Sequence, residues 1–229
     1  AADQARARSG PVALVVEKGS FEAYALKDPG RPEIELSREQ AIERFVAALP
    51  DGASVVSTTG MPSRELFEVR RRLGQPHDAD LLVVGGMGHA SQIALGVALA
   101  REARPVYCLD GDGAVIMHTG GLATIGALAP AGYKHVVVNN GAHDSVGGQP
   151  TAGFSFDICA VARAAGYKSA VRAVTAAEVD AALAALAAAP GPALVEIWVK
   201  KGARKDLGRP TQSPADLKAA FSAWTRRGA

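Results

Sequence analysis

The feature that most limits how this chain can fold is a repeated unit: a short Val/Leu/Ile run, a glycine-rich turn, then a helical stretch. SVVS (54–57) leads into TTGMPS and the helix-like RELFEVRRRL. LLVV (81–84) leads into GGMGHA and SQIALGVALARE, and PVYCL (105–109) leads into DGDG and GGLATIGALA. KHVVV (134–138) leads into NNGAHDSVGGQPT and DICAVARAA, and an Ala-rich helix over 176–189 precedes a last strand, ALVEIWV (193–199). Strands that are apolar at successive positions are covered on both faces, and alternation with helices is how parallel strands are connected. The expected fold is therefore α/β, a parallel sheet with helices on both faces. Ligands of such sheets bind beyond the carboxyl ends of the strands, where the four glycine-rich segments fall. Turn geometry alone also asks for glycine, but four such loops on one edge suit a ligand that comes close to backbone.

Bulk properties exclude several classes of partner. The 229 residues are 48% hydrophobic and 21% charged, with a net charge of +2. That is enough apolar mass for a core and too little charge to favour nucleic acid or a membrane surface. No 18-residue apolar run is present, so nothing in the sequence reads as a membrane span. The two cysteines, Cys108 and Cys159, sit in apolar surroundings without metal-ligand spacing. They read as small, reduced core residues in a cytoplasmic protein.

The N-terminal segment differs from the rest. AADQARARSGP has no initiator Met and no signal-peptide core, so the chain is expected to begin inside a longer reading frame. PVALVV (11–16) has the pattern of a buried strand. Residues 20–36, polar and rich in Pro and Gly, read as a linker. Ser37 with Gln40 three residues on forms a capping box ahead of AIERFVAAL.

Chemistry concentrates around Gly111-Asp112-Gly113, which is followed after 25 residues by Asn139-Asn140. One helix and one strand lie between, so Asp112 and Asn140 both fall at carboxyl ends of strands. A carboxylate and an amide oxygen are hard donors suited to Mg²⁺. Gly113 lets the following amides approach a phosphate. Neither a GxGxxG fingerprint nor a Walker A loop is present.

GDG followed by about two dozen residues and NN resembles the thiamine diphosphate-binding motif. The stretch GDGAVIMHTGGLATIGALAPAGYKHVVVNNGAHDSVGGQPT, with STTGMPSRELFEVR and GGMGHASQIALGVALA before it, is similar to phosphonopyruvate decarboxylases. The similarity extends through KKGARKDLGRPT. The sister family, sulfopyruvate decarboxylase, shares the general pattern, and the loop NNGAHDSVGGQPT leans toward the phosphonate enzymes.

The resemblance implies the thiamine diphosphate-binding fold, with thiamine diphosphate and Mg²⁺ as cofactors. It also implies a small anionic 2-oxo acid as substrate, 3-phosphonopyruvate giving phosphonoacetaldehyde and CO₂. Carried over by position, Asp112 would hold the metal by carboxylate, Asn140 by its amide oxygen and Ala142 by its backbone carbonyl. Gly111, Gly113, Ala114, Ser145 and Val146 would lie near the diphosphate. Gly85 would offer its carbonyl to the aminopyrimidine, Met87 would wedge between the two rings, and Gly60 would pass beside the pyrimidine. Met87 has a plainer reading as core filler.

His143 and Asp144 are the candidates for proton transfer. His89, at a helix start after the cofactor loop, reads equally as a helix-terminal polar residue or a contact to cofactor or substrate. His118 reads as a packing residue. The basic tail with Lys200, Lys201, Arg204, Lys205 and Arg209 reads as solvated, as a binding site for a phosphonate, or as a subunit contact.

The resemblance also implies something the chain lacks. Activation of the cofactor depends on a Glu in a separate pyrimidine-binding domain, and no Glu here lies in a matching context. Residues 1–19 then read as the tail of that domain, with PVALVV its last strand, and 37–229 as the diphosphate- and metal-binding domain. The partner domain would come from the same frame or from a separate subunit, in a homo-oligomer. The rival readings are a cofactor-carrying subunit of sulfopyruvate decarboxylase and a non-catalytic binding module.

Overall fold

The structure, a computed structural model, describes residues 2–7, 10–22, 33–101 and 104–227. It divides into two compact units, Ala1–Glu33 and Ile34–Ala229. The first contains one short helix, α1 (Ala2–Ala7). The strand expected at PVALVV is not formed: residues 11–16 carry no strand pairing and are exposed, Leu14 at 75% and Val15 at 89%. An apolar run becomes a strand only where a neighbouring strand completes its hydrogen bonds, and this unit offers none among its described residues. The linker expected over 20–36 falls mostly on residues 23–32, which lie outside the described residues.

The second unit runs α2 (Arg38–Ala47), β1 (Ser54–Ser57), α3 (Met61–Arg72), β2 (Asp80–Leu82), α4 (Ala90–Ala100) and β3 (Val106–Gly111). It continues through α5 (Asp112–Met117), α6 (Gly120–Leu128), β4 (Tyr133–Asn139) and a small hairpin of β5 (Ala142–His143) and β6 (Gln149–Pro150). It ends with α7 (Ile158–Ala164), β7 (Ser169–Ala173), α8 (Ala176–Ala188), β8 (Ala193–Trp198) and α9 (Pro214–Arg226). Six strands form one parallel sheet in the order β2-β1-β3-β4-β8-β7.

Two buried clusters show why the sheet is stable. Side chains alternate across a strand, so Tyr107 and Leu109 of β3 join Phe45, Leu66 and Leu183 from α2, α3 and α8 on one face. Val106 and Cys108 join Ala94, Leu95, Ile125 and Ile158 from α4, α6 and α7 on the other. Both cysteines are free and buried. Helix α2 starts where Ser37 accepts from the Gln40 amide while the Gln40 side chain answers the Ser37 amide, the capping box read from the sequence. Helix α9 anchors Leu217 and Phe221 and packs against the edge strand β2.

The strand order matters for function. After β2 the chain crosses back to place β3 on the other side of β1, so connections leave β1 and β3 in opposite directions. A crevice opens at such a reversal, beyond the carboxyl ends of the strands.

Candidate active site

The crevice is occupied by the loops that the sequence singled out. An open cleft lies there, walled by Thr58 and Thr59 after β1, Gly111 to Ala114 at the end of β3 and the start of α5, and Asn140 and Ala142 to Ser145 after β4. Met61, Pro62, Met87, Val138 and Arg38 also line it.

Asp112 is 2% exposed at the start of α5. Its carboxylate accepts a hydrogen bond from the Thr151 hydroxyl. Gly153 presses so close that a Cβ on it would lie 2.4 Å from Asp112 Oδ2. Burial pushes the Asp112 carboxyl above the usual carboxylate range, opposed by Thr151 and by hydrogen bonds with the backbone of Asn140 and Gly113. Among the described residues, no Lys, Arg or His forms an ion pair with it. The preceding Asp110 has a different task, as its sequence position suggests. Its Oδ1 accepts from the Gly111 amide at 2.9 Å, and its Oδ2 lies 3.5 Å from His135 Nε2 in the core.

The two asparagines divide their work. Asn139 is fully buried and structural: it donates to Gly153 O and to Glu196 Oε1, each at 2.7 Å, and accepts from the Gly141 amide at 3.0 Å. Asn140 stands at the cleft. Its Oδ1 accepts from the Ala142 amide at 3.1 Å, and its Nδ2 donates to Asp144 Oδ2 at 2.6 Å.

His143 and Asp144, neighbours in sequence, are handled differently. The His143 ring reaches over Gly113, where an added Cβ would stand 2.7 Å from His143 Cε1 and 3.1 Å from Met87 Cε. Gly113, His143 and Met87 thus converge, and a larger residue at 113 would displace the His143 ring. The Asp144 carboxylate, by contrast, is spoken for. Its Oδ2 takes Arg38 Nη1 at 2.8 Å and the Gly202 amide at 2.9 Å in addition to Asn140. The proton-transfer role expected for Asp144 meets a group already held by three donors.

The remaining expected residues sit at the rim. Gly60 caps α3 at φ +102°, a left-handed value that favours glycine, and a Cβ on it would meet Ser145 at 3.5 Å. Gly85, exposed, and Gly86 follow β2 at φ +70° and +53°, turning the chain so that the expected strand over 81–84 ends at Leu82. Val146 is 69% exposed beside Ser145. His89 caps α4 outside the cleft lining, its Nδ1 3.1 Å from the Gly86 carbonyl oxygen and its ring 4.4 Å from that of His118. His118, read as a packing residue, is exposed at the end of α5.

Sequence reasoning missed Arg38, Thr58, Thr59, Met61, Pro62 and Thr151. Arg38 lies 106 residues from Asp144, and no local pattern announces a partner so distant. The basic tail is strapped down in part: Lys201 Nζ donates to Gly148 O at 2.6 Å, and Arg204 pairs with Glu39 and Glu68.

With this geometry in view, the chain can be set beside known proteins. The family described as "Thiamine pyrophosphate enzyme, C-terminal TPP binding domain" matches residues 58–197. The chain belongs to this family. Its matched span begins at Thr58, directly after β1, and runs through most of β8, so it includes every residue lining the cleft except Arg38. The chain is 43% identical to a phosphonopyruvate decarboxylase of Streptomyces viridochromogenes, over 86% of this chain and 48% of that protein. It is 39% identical to a sulfopyruvate decarboxylase subunit beta of Methanothermobacter thermautotrophicus, over 58% of this chain and 68% of that one. The fold is shared with a benzoylformate decarboxylase of Polynucleobacter necessarius at a TM-score of 0.63 and 22% identity, over 79% of this chain and 36% of that one. The chain spans about half the length of the phosphonopyruvate decarboxylases it matches. Among the described residues, no helix is long and apolar enough to cross a membrane.

Proposed function

We propose that this thiamine pyrophosphate-binding chain is the cofactor- and Mg²⁺-carrying part of a 2-oxo acid decarboxylase that converts 3-phosphonopyruvate to phosphonoacetaldehyde and CO₂. The observation that carries the metal assignment is the buried Asp112 carboxylate without a cationic partner among the described residues, facing the same cleft as Asn140. A buried carboxylate is stable as an anion only with a counter-charge. A carboxylate, an amide oxygen and the Ala142 carbonyl are a donor set of the hardness that Mg²⁺ selects. The residues therefore fit the group.

In this reading Asp112, Asn140 and Ala142 hold Mg²⁺. Gly111, Gly113, Ala114, Ser145 and Val146 line the diphosphate, with Gly113 kept bare so that backbone can close on it. Met87, Gly85 and Gly60 shape the space for the two rings. The bound cofactor supplies the electron sink for breaking the carbon–carbon bond. His143, against Gly113 and Met87, is the candidate of this chain for moving a proton, since an imidazole can both give and take one. Asp144 is assigned to holding the loop. His89 remains at the rim as a contact for substrate or partner.

A pyrimidine-binding domain, in the same protein or in a second subunit, would supply the activating Glu, and assembly would be at least dimeric. The identity to phosphonopyruvate decarboxylases over most of this chain favours the phosphonate. The coverage of a sulfopyruvate decarboxylase beta subunit supports a second reading, the cofactor-carrying subunit of the sulfonate enzyme. Aldehyde and CO₂ release by the complete protein on 3-phosphonopyruvate and on 3-sulfopyruvate separates the two. The first reading expects the phosphonate to be turned over with the higher kcat/KM, and a preference for the sulfonate reverses the assignment.

A further inference from the structure

A buried arginine at the head of α2 has no task in the reading above. Arg38 is 3% exposed, although a guanidinium is among the groups least often taken from water. It spans two carboxylates. Its Nε and Nη2 donate to Glu65 Oε2 and Oε1 of α3 at 2.7 and 3.0 Å, a bidentate fork, and its Nη1 donates to Asp144 Oδ2 at 2.8 Å. Nη2 also reaches Gly202 O at 3.4 Å, while the Gly202 amide donates to the same Asp144 oxygen. Two helices, the loop after β4 and the tail meet at one charge.

We propose that Arg38 is a positioning residue for the cation site, acting through Asp144 on the Asn140 side chain. The inference rests on the cofactor reading given above. An ionised carboxylate only accepts hydrogen bonds, so Asp144 held beside Arg38 receives the Asn140 amide by its nitrogen. That choice orients the other end of the amide, the oxygen, as the one able to serve a hard cation. With Asp144 misplaced, the nitrogen end loses this anchor and the amide is held less firmly in the orientation that the Ala142 amide also favours. The outer partners of metal ligands act this way in general, and their loss costs about 10- to 100-fold in affinity.

The test is a double-mutant cycle on the intact protein, read by calorimetric titration of Mg²⁺ in the presence of thiamine diphosphate. Arg38→Gln and Asp144→Asn are each expected to weaken Mg²⁺ binding by about tenfold or more, and the double variant no further than the weaker single one. Arg38→Lys, which keeps the charge but not the fork, should fall between. An undiminished Arg38→Gln effect in the Asp144→Asn background overturns the proposal, because Arg38 would then act on the ligand directly. So does wild-type affinity in folded Arg38→Gln. If Arg38→Gln does not fold with Glu65 left buried and unpaired, Arg38→Gln/Glu65→Gln removes both charges and carries the same expectations. The Asn140 side-chain amide resonances give a readout independent of the cofactor and should move in Arg38→Gln without any ligand. Failure of the unsubstituted protein to bind Mg²⁺ and thiamine diphosphate would sink the cofactor reading, and those resonances alone would then decide the positioning claim.

Discussion

Asp112 is the carboxylate buried in the wall of the cleft. Burial raises its pKa, so the folded, metal-free protein holds the Asp112 proton to higher pH than the unfolded chain does. The sign follows: this group's contribution to stability improves as pH falls through its folded pKa and turns unfavourable above it. Mg²⁺ requires the carboxylate, so binding releases a proton. Affinity for Mg²⁺ with thiamine diphosphate should therefore decline as pH falls through the raised carboxyl range, and a pH series of calorimetric titrations reads this. In Asp112→Asn the decline should be absent along with most of the binding. The spacing of GDG and NN made Asp112 and Asn140 legible, because both follow strands and parallel order brings strand ends together. Asp144, expected as a proton carrier, is engaged by three donors. Its engagement depends on Arg38 and Gly202, which lie 106 and 58 residues away, and local pattern is silent about both.

At the scale of elements, legibility followed burial. SVVS is a strand to the residue, since all four positions are buried and the run is bounded by turns. β7 escaped because its sequence, SAVRA, sets buried Ala170 and Ala173 beside exposed Val171 and Arg172, and no apolar run betrays it. α9 escaped because only Leu217 and Phe221 anchor it. PVALVV had the composition of a strand without a neighbour to pair with. Close packing between elements also hangs on single glycines: a Cβ on Gly126 of α6 would stand 1.7 Å from the Ala165 carbonyl oxygen, at the end of α7. Backbone must then move, so Gly126→Ala should destabilise the domain by about 1–3 kcal/mol, the usual cost of overpacking. Urea unfolding monitored by circular dichroism measures it, and an unchanged midpoint would show that the two elements slide apart freely.

The second unit is a doubly covered parallel sheet whose strand order opens a cleft, and the loops of that cleft lie in the span that matches the thiamine pyrophosphate enzyme family. About half the length of the phosphonopyruvate decarboxylases lies beyond the region matched here. Catalysis is accordingly a property proposed for the assembled protein, and holding the metal and the diphosphate is the part proposed for this sheet. Calorimetric titration of thiamine diphosphate into the protein, with and without Mg²⁺, tests that division most directly. Saturable binding that needs Mg²⁺ and is reduced about 100-fold or more in Asp112→Ala, with the fold intact by circular dichroism, is the predicted result. Equal affinity in the wild-type and Asp112→Ala proteins would contradict it.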